Sequence, residues 1–375
     1  MERKLRVGVI FGGRSGEHEV SLVSATSIIN ALDRAKYEII PIGITREGRW
    51  LSSGRALGLL KDHAGLDREP DRLLVPDPAR GGLVGRDGKV EEVQPLDVVI
   101  PIVHGTYGED GTLQGLLELA NIPYVGAGVL GSALGMDKIV QKQLFERARL
   151  PVAKYVWFRT GFCREHPGRA ASAAAKALRY PMFVKPANTG SSVGITKAHG
   201  RAELVEAISL ASTFDRKVIV EQGIPDAREI ECAVLGNDHP AASVPGEVIP
   251  SNEFYDYDAK YVDGRSRTEI PAKLPPLTAG RVRRMAVQAF AALDLSGMAR
   301  VDFFVTRRTY RVVLNEVNTL PGFTSISMYP KLWEASGVAY PALLDRLISL
   351  ALDRHREKSG LKTEYTPKQD WYRKQ

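Results

Sequence analysis

The segment from Arg300 to Asn318 gathers two acids, an amide and a guanidinium into one short piece of chain. Its two arms, Arg300-Val301-Asp302-Phe303-Phe304-Val305 and Arg311-Val312-Val313-Leu314-Asn315-Glu316-Val317-Asn318, are rich in β-branched and aromatic residues and flank a polar break at Thr306 to Thr309. That pattern predicts an antiparallel hairpin. With the turn centred near Arg308, Asp302 lies across from Leu314 to Glu316. Side chains alternate along a strand, so Arg300 and Asp302 share a face, as do Glu316 and Asn318, and the pairing can merge the two. Hard oxygen donors of this kind suit Mg²⁺, which takes one or two carboxylates together with phosphate oxygens and water. Asp302, Glu316 and Asn318 are therefore candidate metal ligands, with Arg300 facing the anion. Taken alone, one Asp and one Glu more often make a solvated, salt-bridged face.

The rest of the chain favours the first reading. Leu5 to Phe11 predicts a buried strand, followed by Gly12-Gly13-Arg14-Ser15-Gly16-Glu17-His18-Glu19 and a helix over Val20 to Leu32. This is the opening unit of a parallel α/β domain. It does not fit a dinucleotide fingerprint: the spacing is not G-x-G-x-x-G, and the next strand, Tyr37 to Ile44, ends without an acid. Leu96 to Val103 predicts another buried strand, then His104-Gly105-Thr106-Tyr107-Gly108-Glu109-Asp110-Gly111 and a helix over Thr112 to Ala120. Both glycine-bearing turns fall at carboxyl ends of strands, the ligand-binding edge of such sheets, which points Glu17 and His104 at one crevice. Residues 46–95 read as loops and short strands of an insertion.

A second α/β unit begins after Pro151: a strand near Val152 to Phe158, a helix over Pro167 to Leu178, and a strand over Met182 to Lys185. The loop Lys185-Pro186-Ala187-Asn188-Thr189-Gly190-Ser191-Ser192-Val193-Gly194 offers a cation, hydroxyls and backbone N–H groups to phosphates. With Val193 to Thr196 returning as a strand, it would close as a hairpin flap, and a plain surface hairpin is the alternative. The strand ending Glu221-Gln222-Gly223-Ile224 can present backbone groups to a base edge, and Glu229 a carboxylate to a ribose. Residues 250–271, with Tyr255, Tyr257 and Tyr261, read as a long polar lid. A helix over Tyr340 to Arg354 closes the fold, and residues 358–375 read as a frayed polar tail.

Two cysteines, Cys163 and Cys232, support neither a disulfide framework nor a thiolate metal site, and no leader or membrane span is legible, so a cytoplasmic protein is expected. The net charge of +7, from 51 basic and 44 acidic residues, comes without a dense basic cluster beyond pairs such as Arg283-Arg284 and Arg307-Arg308. A small anionic substrate explains it as well as nucleic acid does, and no nucleic-acid partner is expected.

Taken together, these motifs resemble the D-alanine:D-alanine ligases of the ATP-grasp superfamily. The matching residues are Gly12-Gly13, Ser15, Glu17 and Glu19-Val20-Ser21; His104-Gly105 with Gly108-Glu109-Asp110-Gly111; Met136-Asp137-Lys138; Lys185-Pro186 with Gly190-Ser191-Ser192-Val193-Gly194; Phe254-Tyr255-Asp256-Tyr257 with Lys260-Tyr261; Arg300-Val301-Asp302; and Asn315-Glu316-Val317-Asn318-Thr319 with Pro321-Gly322. They run in family order through most of the chain. The resemblance implies an α/β fold with α+β lobes: an amino-terminal parallel α/β (pre-ATP-grasp) domain over 1–126, a central ATP-grasp lobe with the flap over 127–221, a carboxy-terminal lobe with lid and metal site over 222–357, and the tail.

The implied reaction joins two D-alanines for peptidoglycan. The first carboxylate attacks the γ-phosphate of ATP to give an acyl phosphate, and the second amine displaces phosphate. Two Mg²⁺ ions, or Mn²⁺ in their place, would sit on Asp302, Glu316 and Asn318. Lys138, Lys185, Lys260, Gly190, Ser191 and Ser192 would hold phosphates. Glu221, Gln222, Gly223 and Ile224 would take adenine and Glu229 the ribose, with Phe304 and Asn315 completing the ATP site. Glu17 would pair with the first ammonium beside His104, and Ser191 and Tyr261 would bond to Glu17. Arg300 and the backbone of Gly322 would stabilise the oxyanion, and Ser327 with the backbone of Met328 would bind the second carboxylate. Lys260-Tyr261 looks like the dipeptide-forming lid rather than that of D-lactate-using relatives, and a homodimer is the family expectation.

Overall fold

The computed structural model describes residues 3–63, 65–69, 71–79, 81–85, 93–190, 194–249, 267–324, 326–363 and 365. Ser191, Ser192, Val193, Lys260, Tyr261 and the rest of the 250–266 stretch lie outside the described residues, as do 366–375 of the tail.

The first sheet has the order β3-β2-β1-β7, from β1 (Leu5–Gly12), β2 (Tyr37–Ile44), β3 (Trp50–Leu51) and β7 (Val98–Pro101). β1 pairs in parallel with β2 and β7, as the strand–turn–helix reading requires. Val7, Val9, Ile10 and Phe11 are fully buried. Burying side chains of this size contributes about 1.5–3 kcal/mol each, which is why the run carries no polar alternation. Helix α1 (His18–Ala31) covers one face and α2 (Ala56–Asp62) packs beside it on β2. The insertion is more ordered than loops. It holds α2, a 3₁₀ turn at Leu66–Arg68, and a small antiparallel sheet of β4 (Arg72–Leu74), β5 (Gly82–Gly85) and β6 (Gln94–Pro95). Leu83 and Leu74 anchor that sheet in the core shared with Ile40 and Ile42.

Helices α3 (Thr112–Leu119), α4 (Val129–Met136) and α5 (Lys138–Arg147) lead to the second sheet. Asp137 caps α5, accepting from the backbone N–H groups of Ile139 and Val140 at 3.0 and 3.1 Å, an arrangement typically worth about 1 kcal/mol. The sheet has the order β10-β9-β11-β8, from β8 (Tyr155–Arg159), β9 (Met182–Pro186), β10 (Thr196–Ala198) and β11 (Lys217–Gln222), and it is covered by α6 (Thr160–Glu165), α7 (Pro167–Ala177) and α8 (Arg201–Ala211). β9 and β10 pair antiparallel, so among the described residues the returning strand is present over Thr196–Ala198.

The third sheet runs β15-β14-β12-β16-β17, with β13 on β12. Its strands are β12 (Ala227–Gly236), β13 (Ala241–Ala242), β14 (Gly246–Ile249), β15 (Arg267–Glu269), β16 (Gly297–Thr306) and β17 (Val312–Asn318), with α9 (Pro276–Ala292) against one face. α10 (Met328–Ala335) and α11 (Tyr340–Ser359) end the described fold. α11 runs five residues beyond Arg354 because tertiary contacts hold its last turns. Arg354 reaches the carbonyl of Gly126 and donates to Ser296 Oγ at 2.7 Å, and Lys358 lies 2.5 Å from Glu118 of α3. Leu343, Leu344, Leu347 and Ile348 of α11 share a core with Val7, Val9 and Phe11, and Tyr37 Oη donates to Asp345 at 2.7 Å. The carboxy-terminal helices thereby fasten the third sheet to the first.

Candidate active site

A cavity of about 330 Å³ opens between the second and third sheets, within the size range of small-molecule sites. β16 and β17 form its business side. Arg300 faces Asn318 and Asp302 faces Glu316 across the ladder, but Phe303 pairs with Leu314, so the register slips by one residue. The extra residue is Asn315. A bulge of this kind re-aims neighbouring side chains, and the adjacent residues Asn315 and Glu316 are both half-buried and both line the cavity. Strict alternation would have sent one of the two away, as it does on β16, where Phe303 packs in the core and Phe304 is half-buried.

Arg300 lies between two acids. Its Nε and Nη2 donate to Asp302 at 2.8 Å each, and Nε is 3.0 Å from Glu231 Oε2. Asn318 Nδ2 donates to the second Asp302 oxygen at 2.9 Å. Lys138 Nζ donates to the Thr189 carbonyl at the base of the flap at 2.8 Å and lies 3.6 Å from Glu316 Oε2. Asp302 and Glu316, directly opposed, with the Asn318 amide beside them, make a donor set for a hard cation. Among the described residues no group of three His, Cys, Asp or Glu could enclose a metal. Two carboxylates and an amide oxygen fill only part of a hard cation's shell, so these residues fit an ion that takes the rest from ligand oxygens and water.

Deeper in, Glu221 is buried between Lys142, 2.9 Å away, and Lys185, 2.7 Å away. Burial disfavours its charge, but the two ammonium groups outweigh that and hold its pKa down at about 2. Lys185 shows the converse: burial lowers its pKa and Glu221 more than restores it, so the amine stays charged beside the cavity. The Glu221 carboxylate is thus committed to lysines, and it lines the cavity together with Gln222, Gly223, Ile224 and Glu229.

The other cluster forms on the amino-terminal turns. Glu17 sits at the start of α1, 8% exposed, and its N–H donates to Ser15 Oγ, which in turn donates to the His104 carbonyl at 2.6 Å. Gly105, at φ +77°, and Gly190 of the flap both press on the Glu17 carboxylate, and a Cβ on Gly105 would come to 2.5 Å from Oε2. Glycine is needed there for close approach. His104 is buried with Nδ1 3.2 Å from the Leu320 carbonyl and 3.6 Å from Glu109, and with Nε2 3.0 Å from Ser24 Oγ. Burial opposes charge on this ring, but Glu109 first, then Glu17 and the Leu320 carbonyl, raise its pKa above the ordinary value. Stability from that charge is present below the unfolded pKa of about 6.5 and is lost as pH rises through the folded value. The thermal midpoint should therefore fall between about pH 6 and 9 by more in the wild-type protein than in His104→Gln; parallel curves would remove the charged histidine.

Beyond Asn318 the chain turns through Gly322. Ser327 precedes α10, and its Oγ accepts from the Thr324 N–H at 3.0 Å. A Cβ on Gly322 would lie 2.9 Å from that Oγ. Met328 opens the helix, so N–H groups and the positive end of its dipole face this turn, suited to a carboxylate. Residues 316–322 thus run from the bulged hairpin to the His104 cluster. Sequence reasoning missed Glu231, Lys142 and Glu109 as site residues. Glu231 had a signal: it follows Glu229 by two, on the same face of one strand, opposite Asp302. Lys142 had none, because its partner Glu221 is remote in sequence.

Two antiparallel sheets that close on a small-molecule cavity, with lysines on one side and paired carboxylates on the other, define an ATP-grasp fold. The D-ala D-ala ligase C-terminus family model matches residues 144–349 and the N-terminus model residues 6–127. The chain is 49% identical to the D-alanine--D-alanine ligase of Natranaerobius thermophilus over 366 residues, 97% of this chain and 99% of that one. It is 52% identical to that of a Thermoanaerobacter species over 364 residues, 96% and 99%. Among solved structures it matches the D-alanine-D-alanine ligase from Coxiella burnetii at TM-score 0.80 and 39% identity, covering 95% of this chain and 96% of that chain. The VanG D-Ala:D-Ser ligase from Enterococcus faecalis matches at 0.81 and 38%, covering 93% and 100%. The chain belongs to the D-alanine:D-alanine ligase family.

Proposed function

We propose that this protein joins two D-alanines at the expense of ATP, by way of an acyl phosphate, for peptidoglycan synthesis. The observation that carries the reading is the bulged β16–β17 hairpin, which turns Arg300, Asp302, Asn315 and Glu316 into one cavity faced by Lys185. ATP lies in that cavity, its adenine against Gln222, Gly223 and Ile224, its ribose at Glu229 and its phosphates toward Lys138, Lys185 and the flap. Asp302, Glu316 and Asn318 hold the divalent ions, two Mg²⁺ in this reading, which offset charge moving between phosphates when bound. Glu17 takes the first D-alanine's ammonium beside His104. Arg300 and the Gly322 N–H meet the developing oxyanion, preorganised as such donors must be. Ser327 and the Met328 N–H take the second carboxylate. Ser191, Ser192, Lys260 and Tyr261 close flap and lid over the site, where water would hydrolyse the acyl phosphate.

The three-lobe division at 126 and 221 and a homodimer complete the reading. Among the described residues no helix is long and apolar enough to cross a membrane, and a cytoplasmic site of action follows from the reaction. The acceptor is the finest point, because the fold also serves a ligase named for D-serine. Phosphate release from ATP and Mg²⁺ is measured with D-alanine alone and with D-alanine plus D-serine or D-lactate, and products are weighed. Dipeptide from D-alanine alone is expected. A product that forms only with D-serine or D-lactate would reassign the acceptor, and no release with any of them would end the ligase reading.

A further inference from the structure

Helix α9 carries Arg281, Arg283 and Arg284 and no acid. Its buried face is Val282, Met285, Ala286, Ala289 and Phe290. Arg283 turns to the Ala242 carbonyl at 2.9 Å. Arg281 and Arg284, three residues apart and therefore neighbours on the helix surface, instead border a cleft of about 490 Å³ that they share with Arg149, Leu150, Met285 and Val312. The basic pair that looks continuous in the sequence is split by the fold, and one member joins a distant arginine. Among the described residues, none of these three guanidiniums has a carboxylate within ion-pair distance. Arg149 also follows the C-terminal end of α5, where a cation is favoured, but that accounts for one of the three.

We propose that this cleft is a second anion site, for a small ligand that carries at least two phosphate charges on a partly apolar body. Three permanently charged forks exceed what one carboxylate needs and match phosphate oxygens bidentately. Leu150, Met285 and Val312 supply apolar contact, and the volume is that of a small-molecule site. The cleft is separate from the catalytic cavity, but it touches the same strand: Val312 opens β17, the Leu314 N–H donates to the Pro151 carbonyl at 2.8 Å, and Asn315 and Glu316 follow.

The probe is inorganic pyrophosphate, titrated calorimetrically in EDTA into the full chain, into Arg281→Ser/Arg284→Ser and into Arg149→Ser. All three arginines are exposed, so both variants fold, and circular dichroism checks this. Binding about tenfold or more weaker in each variant, with dipeptide synthesis unchanged, is expected. The proposal is overturned if the three titrations coincide, which would place the pyrophosphate elsewhere, or if the wild-type protein gives no binding up to about 1 mM. It is equally overturned if a single-stranded oligonucleotide binds more tightly than pyrophosphate, loses affinity in the same variants and weakens steeply with salt, which would make the cleft a nucleic-acid contact.

Discussion

Replacing Glu221 by glutamine is expected to cost about 3–5 kcal/mol of stability, the range for breaking a buried ion pair on one side. Glu221 is 4% exposed, Lys142 1% and Lys185 7%, so the substitution strands two ammonium groups with no carboxylate between them. The isosteric amide keeps the volume, so cavity formation cannot account for the loss. The pH dependence identifies the cause. Because the folded pKa is depressed to about 2, the carboxylate's contribution is present above its unfolded pKa of about 4.5 and disappears as pH falls toward the folded value. The gap between wild type and variant, followed by chemical denaturation, should therefore narrow across that window. A loss under about 1 kcal/mol would mean that water or another acid already neutralises the lysines. Any surviving enzyme should also bind ATP less well, since Lys185 loses the partner that orients it.

Glu316→Ala should behave in the opposite way, with a small change in stability and a large one in rate. Glu316 is partly exposed, and its cation partner Lys138 stands 3.6 Å off, an ion pair worth about 1 kcal/mol or less. In the proposed role of ligand to the divalent ions it would support several kcal/mol of transition-state stabilisation, so turnover should fall by about 10³-fold or more. Phosphate release with D-alanine, beside a melting curve, separates the two effects. Turnover within tenfold of wild type would remove Glu316 from the metal site. Asn315→Ala tests the bulge: it should raise KM for ATP with a smaller effect on kcat, because Asn315 reaches the cavity without carrying charge.

Much of this molecule is legible in its sequence. The run Leu5 to Phe11 could be little but a buried parallel strand, and β2 spans Tyr37–Ile44 as its pattern indicates. The polar break in the hairpin is wider than Thr306 to Thr309, since β16 ends at Thr306 and β17 begins at Val312. Tyr310 there adopts φ +51° and bonds back to Thr306, a local conformation that no periodicity announces. α11 outruns its pattern because Arg354 and Lys358 find partners on the first sheet's side of the molecule, the Tyr124 and Gly126 carbonyls and Glu118. The insertion gained a helix and a sheet for a similar reason: Leu60, Leu74 and Leu83 are too sparse to show a period but are buried by neighbours elsewhere.

The sequence by itself determined which chemistry was possible. Short-range pattern sets strand and turn, the placement of acids, amides and glycines follows from residue identity, and alternation with turn position brings Asp302 across from Leu314 to Glu316. What only the tertiary structure decided was every relation between segments that lie far apart in the chain. These include the one-residue slip that turns Asn315 and Glu316 to the same side, Glu231 beside Arg300, Lys142 and Lys185 on either side of Glu221, and Gly190 against Glu17. The physical reason is range. Local sterics and alternation act over a few residues and leave a trace in sequence, whereas burial and charge pairing depend on which surfaces meet, and that is settled only when the three sheets pack.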